Sequence, residues 1–255
     1  MGATVAIVNQ KGGVGKTTVT LGLASAAQHA GHRVLVADLD PQASATWVLG
    51  HDPDSVATST AELLAHPRPG SAAGAVVVSG WGEGVDVLPA SSRLHGQESG
   101  RAAAHLRLAL EGVGAGYDAV LVDCAPSLGN LTVNALSAAD LALIVVEPAA
   151  LGLRGITAVA DTVDDIWDRH NPTLDLAGVI VNRLPAVSAE AERRYAELAE
   201  IVGRRAVWQP PVPQRVVLTQ AAAERRSIHA MGWRGAEVAH VFDQLWTKLR
   251  RTLRG

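Results

Sequence analysis

The stretch NQKGGVGKTT, residues 9–18, sets two lysines, three glycines and two threonines within ten positions. A loop that cradles phosphate needs backbone N–H groups converging on the anion, glycines to allow the tight path, and a helix N-terminus behind it. Gly12, Gly13 and Gly15 supply the loop, Lys16 is placed to reach β- and γ-phosphates, and the Thr17 hydroxyl is placed to ligate Mg²⁺. The usual phosphate-loop pattern asks for glycine at position 10, where this chain has Gln10. One lysine suffices for a nucleotide's phosphates, so Lys11 needs a separate task.

Carboxylates occupy two other places. VLVADLDPQ (34–42) puts Asp38 and Asp40 at the carboxyl end of an apolar run, and AVLVDCAPS (119–127) puts Asp123 at the end of another. Ligands of parallel sheets sit beyond such ends. Asp123 reads as the carboxylate that positions Mg²⁺ through water. Strand alternation would point Asp38 and Asp40 to one side, where either could meet the metal or the attacking water. Thr17, Asp38 and Asp123 form the expected metal set. A single Asp after a strand is often a turn cap; three behind a phosphate loop are not explained by capping alone.

The elements that must position these residues alternate. Thr4–Val8 and the RVLVADLD run (33–40) flank a helical stretch, Thr17–Ala30, that stops at Gly31. Further strands are expected at Val85–Leu88, Ala119–Val122, Leu141–Val146 and Ala177–Val181, with helices near 101–112, 152–168 and 188–202. The pattern is α/β: a doubly wound, mostly parallel sheet with helices on both faces and right-handed crossovers, in one domain over residues 1–255. Residues 50–84, rich in Ala, Gly, Ser and Pro, read as a surface excursion with a short helix at Ser59–Ala65 and a mobile stretch, HPRPGSAAG, at 66–74. In the last segment Val238, Val241, Phe242, Leu245, Trp246, Leu249 and Leu253 share one helical stripe, with Lys248, Arg250, Arg251 and Arg254 near its end. A core-facing helix and a membrane-surface helix both fit that stripe; the core is the commoner use.

Composition narrows the rest. Hydrophobic residues make up 48% of the 255, enough for a packed core. Cys124 is the single cysteine, so an intrachain disulfide or cysteine metal cluster is excluded and any metal must take oxygen ligands. No apolar run reaches the ~18 residues of a membrane span, and the first residues lack a secretory or myristoylation pattern. A cytoplasmic location is expected. Residues 1–182 carry 9 Lys/Arg against 18 Asp/Glu and residues 183–255 carry 13 against 7, so a basic last third follows an acidic remainder. That excess suits either a polyanion or solvated helix faces.

Taken together, KGGVGKTT, with lysine before the double glycine, DLDPQASAT (38–46), DCAPSLGNLTVNAL (123–136) and VIVNR (179–183) resemble in order and spacing the ParA/MinD family of deviant Walker A ATPases. The resemblance implies ATP and Mg²⁺ as cofactors and an ATP-bound homodimer in which Lys11 reaches the partner's phosphates. It implies phosphate binding by Lys16 and the backbone of Gly12, Gly13, Val14 and Gly15, metal ligation by Thr17, an α-phosphate contact by Thr18, and orientation of the attacking water by Asp40. Asp123 would support the metal, Asn182 would bind adenine, and the backbone near Pro211 and Val212 would close over the base. A ParA-type protein would coat non-specific DNA, associate with the nucleoid and answer to a ParB-like activator. A MinD-like membrane positioner and a ParA-like positioner of another cargo are the alternatives. No helix-turn-helix unit is expected ahead of Val5. In VPQRVVLTQA (212–221) the chain departs from the family, with Gln220 where an acid and Val217 where an arginine is common. Arg183, Arg193, Arg194, Arg204, Arg205, Arg215, Arg225 and Arg226 are the candidates for a DNA surface completed by dimerisation.

Overall fold

In the computed structural model, which describes residues 2–100, 103–148 and 153–254 (backbone alone at 153–157), the first apolar run is β1 (Ala3–Val8). The glycine-rich turn follows, then α1 (Lys16–His29) and β2 (Val34–Leu39). The remaining strands are β3 (Val77–Val78), β4 (Val85–Leu88), β5 (Ala119–Cys124), β6 (Leu141–Val146) and β7 (Asp175–Val181). They form one sheet in the order β3-β4-β2-β5-β1-β6-β7. Every pairing is parallel except β3 with β4. Strands covered on both faces read as continuous apolar runs, and β2, β5 and β6 are buried at every position.

Alternation along β1 divides the core. Ala6 and Val8 face a layer built with α3 (Thr60–Ala65), α4 (His105–Ala109), α5 (Asn130–Ala138), α6 (Leu153–Arg169) and α7 (Ala189–Ile201). Val5 and Ile7 face α1, α2 (Ser44–Val48), α8 (Val216–Ala223) and α9 (Ala236–Thr252). The apolar stripe of α9 is spent here: Val238, Phe242, Leu245, Trp246 and Leu249 are buried against this layer. At Gly22 of α1 a Cβ would stand 2.2 Å from the Phe242 ring, so glycine is what lets the two helices approach. The membrane-surface alternative therefore lacks a free apolar face on α9.

Three expectations change. The helix foreseen near 101–112 is only His105–Ala109 within the described residues, positions 101 and 102 lying outside them, and it ends ahead of the left-handed turn at Gly112, φ 75°. The stretch 66–74 is tied down: Ala72 is fully buried and the Gly70 amide donates to the Leu108 carbonyl at 3.1 Å. The edge strand β3 and the short helices α2, α5 and α8 went unforeseen, being too short to establish a period. The foreseen helix at 59–65 is α3, started by a capping box in which Ser59 and Glu62 serve each other's backbone ends.

Candidate functional site

The turn from β1 into α1 builds the centre of the site. Gly13 and Gly15 take left-handed backbone angles, φ 81° and 86°, and α1 begins directly after with no side-chain cap, so its first amides are open toward the cleft. A Cβ on Gly15 would lie 2.1 Å from Asn182 Nδ2. Lys16 is only 6% exposed. Burial pulls its pKa down, opposed by the nearby Asp123, Cys124 and Asp40. A buried ammonium at a helix N-terminus, whose neighbouring carboxylates only partly offset its desolvation, suits an incoming polyphosphate. Lys11 is exposed and makes no ion pair among the described residues.

Asp123, the penultimate residue of β5, is fully buried, its oxygens accepting from Thr17 Oγ1 at 2.7 Å and Thr20 Oγ1 at 3.1 Å. Burial and then the neighbouring Asp38 push its pKa far above the carboxylate range, while the Thr17 hydrogen bond opposes them. A group so strained as an anion is relieved by a cation. The Thr17 hydroxyl and the Asp123 carboxylate are thus paired oxygen donors that could hold a divalent ion. No cluster of three metal-ligating His, Cys, Asp or Glu side chains occurs among the described residues.

Asp38 and Asp40 part company. β2 ends at Leu39, so strand alternation does not carry through to Asp40. Asp38 turns inward: Oδ2 accepts from the Thr46 amide at 2.8 Å and the Thr46 hydroxyl at 2.7 Å, and Oδ1 from the Asp40 amide at 3.1 Å. Asp38, grouped with the metal residues from sequence, thus fastens the segment that carries Asp40. Asp40 opens a turn, accepting from the Gln42 amide at 2.9 Å, and lines the cleft.

The cleft, about 420 Å³, is lined by Gly13, Gly15, Lys16, Thr17, Thr18 and Asp40 and by the apolar side chains of Leu21, Val48, Trp81, Leu218, Ala222 and Ile228. Asn182 lies behind the loop, Nδ2 donating to the Val14 carbonyl at 2.8 Å and Oδ1 buried without a partner. The expected backbone contacts near the base are otherwise committed, since the Val212 amide donates to Val181 and its carbonyl accepts from Leu184. Neither Pro211 nor Val212 lines the cleft.

The eight arginines scatter. Arg183 bonds Gly13 and Glu147 within the site. Arg193 and Arg194 pair with Glu190 and Glu197 along α7, and Arg215 with Glu237 on α9. Arg226 pairs with Glu224, and Arg225 lies over the Trp47 ring at 4.3 Å. Arg204 and Arg205 alone of the eight are exposed with no partner among the described residues. Sequence reasoning missed Glu147, Trp81 and the α8 wall. Glu147 follows the last residue of β6, where the carboxyl-end rule for parallel sheets would have found it.

A family model described as an AAA domain matches residues 2–176. The sporulation initiation inhibitor protein Soj of Bacillus subtilis (strain 168) is 34% identical over 245 residues, 93% of this chain and 95% of that protein. The chromosome partitioning protein ParA of Caulobacter vibrioides is 34% identical over 224 residues, 85% of this chain and 82% of that one. Among solved structures, cobyrinic acid a,c-diamide synthase from Mycobacterium smegmatis with bound ADP and magnesium superposes with TM-score 0.83 at 31% identity, covering 100% of this chain and 96% of that one.

Proposed function

Because the chain belongs to the ParA/Soj family of partition ATPases, we propose that residues 1–255 form a single Mg²⁺-dependent ATPase domain that pairs on binding ATP, holds non-specific DNA in that state and releases it after hydrolysis. The observation that carries this reading is the difference between two lysines: Lys16 buried at the helix N-terminus and Lys11 exposed on the same loop, with no ion pair among the described residues.

The loop amides and Lys16 hold the β- and γ-phosphates, and Thr17, steadied by Asp123, ligates the metal. Bound Mg²⁺ supplies charge neutralisation for the phosphoryl oxygens. Asp40, on a turn pinned from beneath by Asp38, orients the attacking water. Thr18 and the apolar side chains of Leu21, Leu218 and Ala222 take the sugar and base, replacing Pro211 and Val212. Asn182, fully buried and likewise outside the cleft lining, serves the loop instead, its Nδ2 holding the Val14 carbonyl. Two polyphosphate-loaded faces repel; Lys11 donated across the interface offsets that repulsion while the γ-phosphate is present. Neither Asp40 nor Asp123 can supply the extra positive charge that phosphoryl transfer favours, so turnover is slow without a ParB-like activator.

DNA contact rests first on Arg204 and Arg205, the ion-paired arginines joining only by exchanging a carboxylate for a phosphate. Among the described residues no helix is long and apolar enough to cross a membrane; with the α9 stripe buried, a cytoplasmic, nucleoid-associated protein is the reading we adopt. One fold serves many activities, as the name of the Mycobacterium smegmatis protein illustrates. The deciding experiment is DNA retention with ATP and with ADP over a salt series, Lys16→Ala serving as the nucleotide-free control. ATP-dependent retention that falls steeply with salt is expected. Retention indifferent to nucleotide or to salt would overturn the proposal.

A further inference from the structure

Arg183 stood among the candidate DNA contacts, yet the structure spends it on the phosphate loop. Its Nη1 donates to the Gly13 carbonyl and to Glu147 Oε1, each at 2.6 Å. The residue before it, Asn182, donates from Nδ2 to the next carbonyl of the loop, Val14, at 2.8 Å. Two adjacent side chains at the end of β7 thus hold two adjacent carbonyls of the loop.

A trans peptide is planar, with its C=O and the following N–H pointing in opposite directions. Drawing the Gly13 carbonyl toward Arg183 turns the Val14 amide away from β7, and drawing the Val14 carbonyl toward Asn182 does the same for the Gly15 amide. Those are amides a phosphate cradle needs turned toward the anion. The platform is itself rigid. The Asn182 amide donates to Val146 of β6 at 2.7 Å, and on the other side the Leu184 amide donates to Val212 at 3.0 Å and the Gln214 amide to Leu184 at 2.8 Å. Arg183 adopts φ 55°, a left-handed conformation unfavourable to a residue with a Cβ, and such positions persist where the surroundings over-determine them.

We infer that Arg183 is a positioning residue of the nucleotide site, which with Asn182 aims the phosphate-loop amides by holding the Gly13 and Val14 carbonyls from behind. The inference rests on the ATP-binding reading of the cleft. Glu147 steadies the guanidinium and is secondary: it touches Arg183 and not the loop carbonyl.

The test compares Arg183→Gln, Arg183→Lys and Glu147→Gln with the parent chain in three measurements: binding of a fluorescent ADP analogue, KM and kcat for ATP, and deuterium uptake of residues 12–16 without nucleotide. Arg183→Gln is expected to weaken ADP about tenfold to a hundredfold, the range for a lost hydrogen bond from a charged donor. It should raise KM with little change in kcat, and quicken exchange across 12–16 at an unchanged melting temperature. Arg183→Lys, keeping a charged donor, should recover most of the affinity, and Glu147→Gln should stay within about threefold of the parent, as for a surface ion pair. Parent-like ADP binding and parent-like exchange in Arg183→Gln would overturn the inference, as would a Glu147→Gln protein as impaired as Arg183→Gln. Failure of the parent itself to bind ADP or ATP would strike the ATPase reading instead, leaving the exchange measurement to judge the tether.

Discussion

Replacing Phe242 by alanine asks whether α9 is core or anchor. Phe242 is fully buried, in a cluster with Val19, Leu23, Leu245 and Leu249, and its ring occupies the space that a Cβ on Gly22 would need. A buried Phe removes roughly 150–250 Å² from water, worth about 4–6 kcal/mol at ~25 cal/mol per Å² as an upper bound. Measured Phe→Ala truncations in cores run to about 3–5 kcal/mol. Domains hold only about 5–15 kcal/mol in total, so Phe242→Ala should remove roughly a fifth or more of the stability. At roughly 2–4 °C per kcal/mol for a chain of this size, Tm should fall on the order of 10 °C. Urea unfolding gives the free energy, and an unchanged m-value would show that the folded state stays equally compact. The reasoning is refuted if Phe242→Ala melts within about 1 °C of the parent, since a fully packed ring cannot be lost so lightly. Loss of liposome binding at unchanged Tm would return α9 to the membrane.

Lys11→Ala should bind ATP as a monomer with near-parent affinity yet fail to elute as a dimer, because the Lys11 side chain is exposed and makes no ion pair among the described residues; size exclusion with ATP checks this. Asp40→Ala should keep ATP and accumulate the pair, with hydrolysis reduced by at least about a hundredfold as expected for loss of a group acting on the nucleophile; single-turnover phosphate release measures it. The raised pKa of Asp123 has a signed consequence. Above the ordinary Asp pKa of ~3.9 the unfolded chain has released this proton while the folded chain keeps it, so this group's contribution to stability falls as pH rises from there through its folded pKa. Relative to the parent, Asp123→Asn should therefore gain stability between pH 5 and 8, measured by urea unfolding without Mg²⁺ or nucleotide, and the gain should shrink when Mg²⁺ and ATP neutralise the carboxylate. Ser59→Ala removes the oxygen that accepts the Ala61 amide in the α3 capping box and should cost about 1 kcal/mol.

The parallel core was legible because buried strands announce themselves as uninterrupted apolar runs. Val85–Leu88 and Leu141–Val146 appear with the expected bounds, and the others shift by one or two residues. The phosphate loop was legible because its chemistry is contiguous: glycines, Lys16 and Thr17 act within one turn of chain. Short elements were not. α8 has eight residues and β3 two, too few to display a period, and their places depend on packing against distant neighbours.

Residue identity and local spacing thus determined what this chain carries: an anion-binding turn, three carboxylates at strand ends and an amphipathic last helix. What each charge does was left to the tertiary structure, since a side chain's task depends on which partners long-range folding brings within 3 Å. Asp38 and Asp40 are two positions apart, but only the first meets Thr46, by two hydrogen bonds. Arg183 and Arg204 look equivalent in a basic segment; a separation of 170 positions had to be closed by folding before the first could reach the Gly13 carbonyl. Electrostatics and hydrogen bonds act through space and fall off within a few ångströms, so separation along the chain could not disclose them.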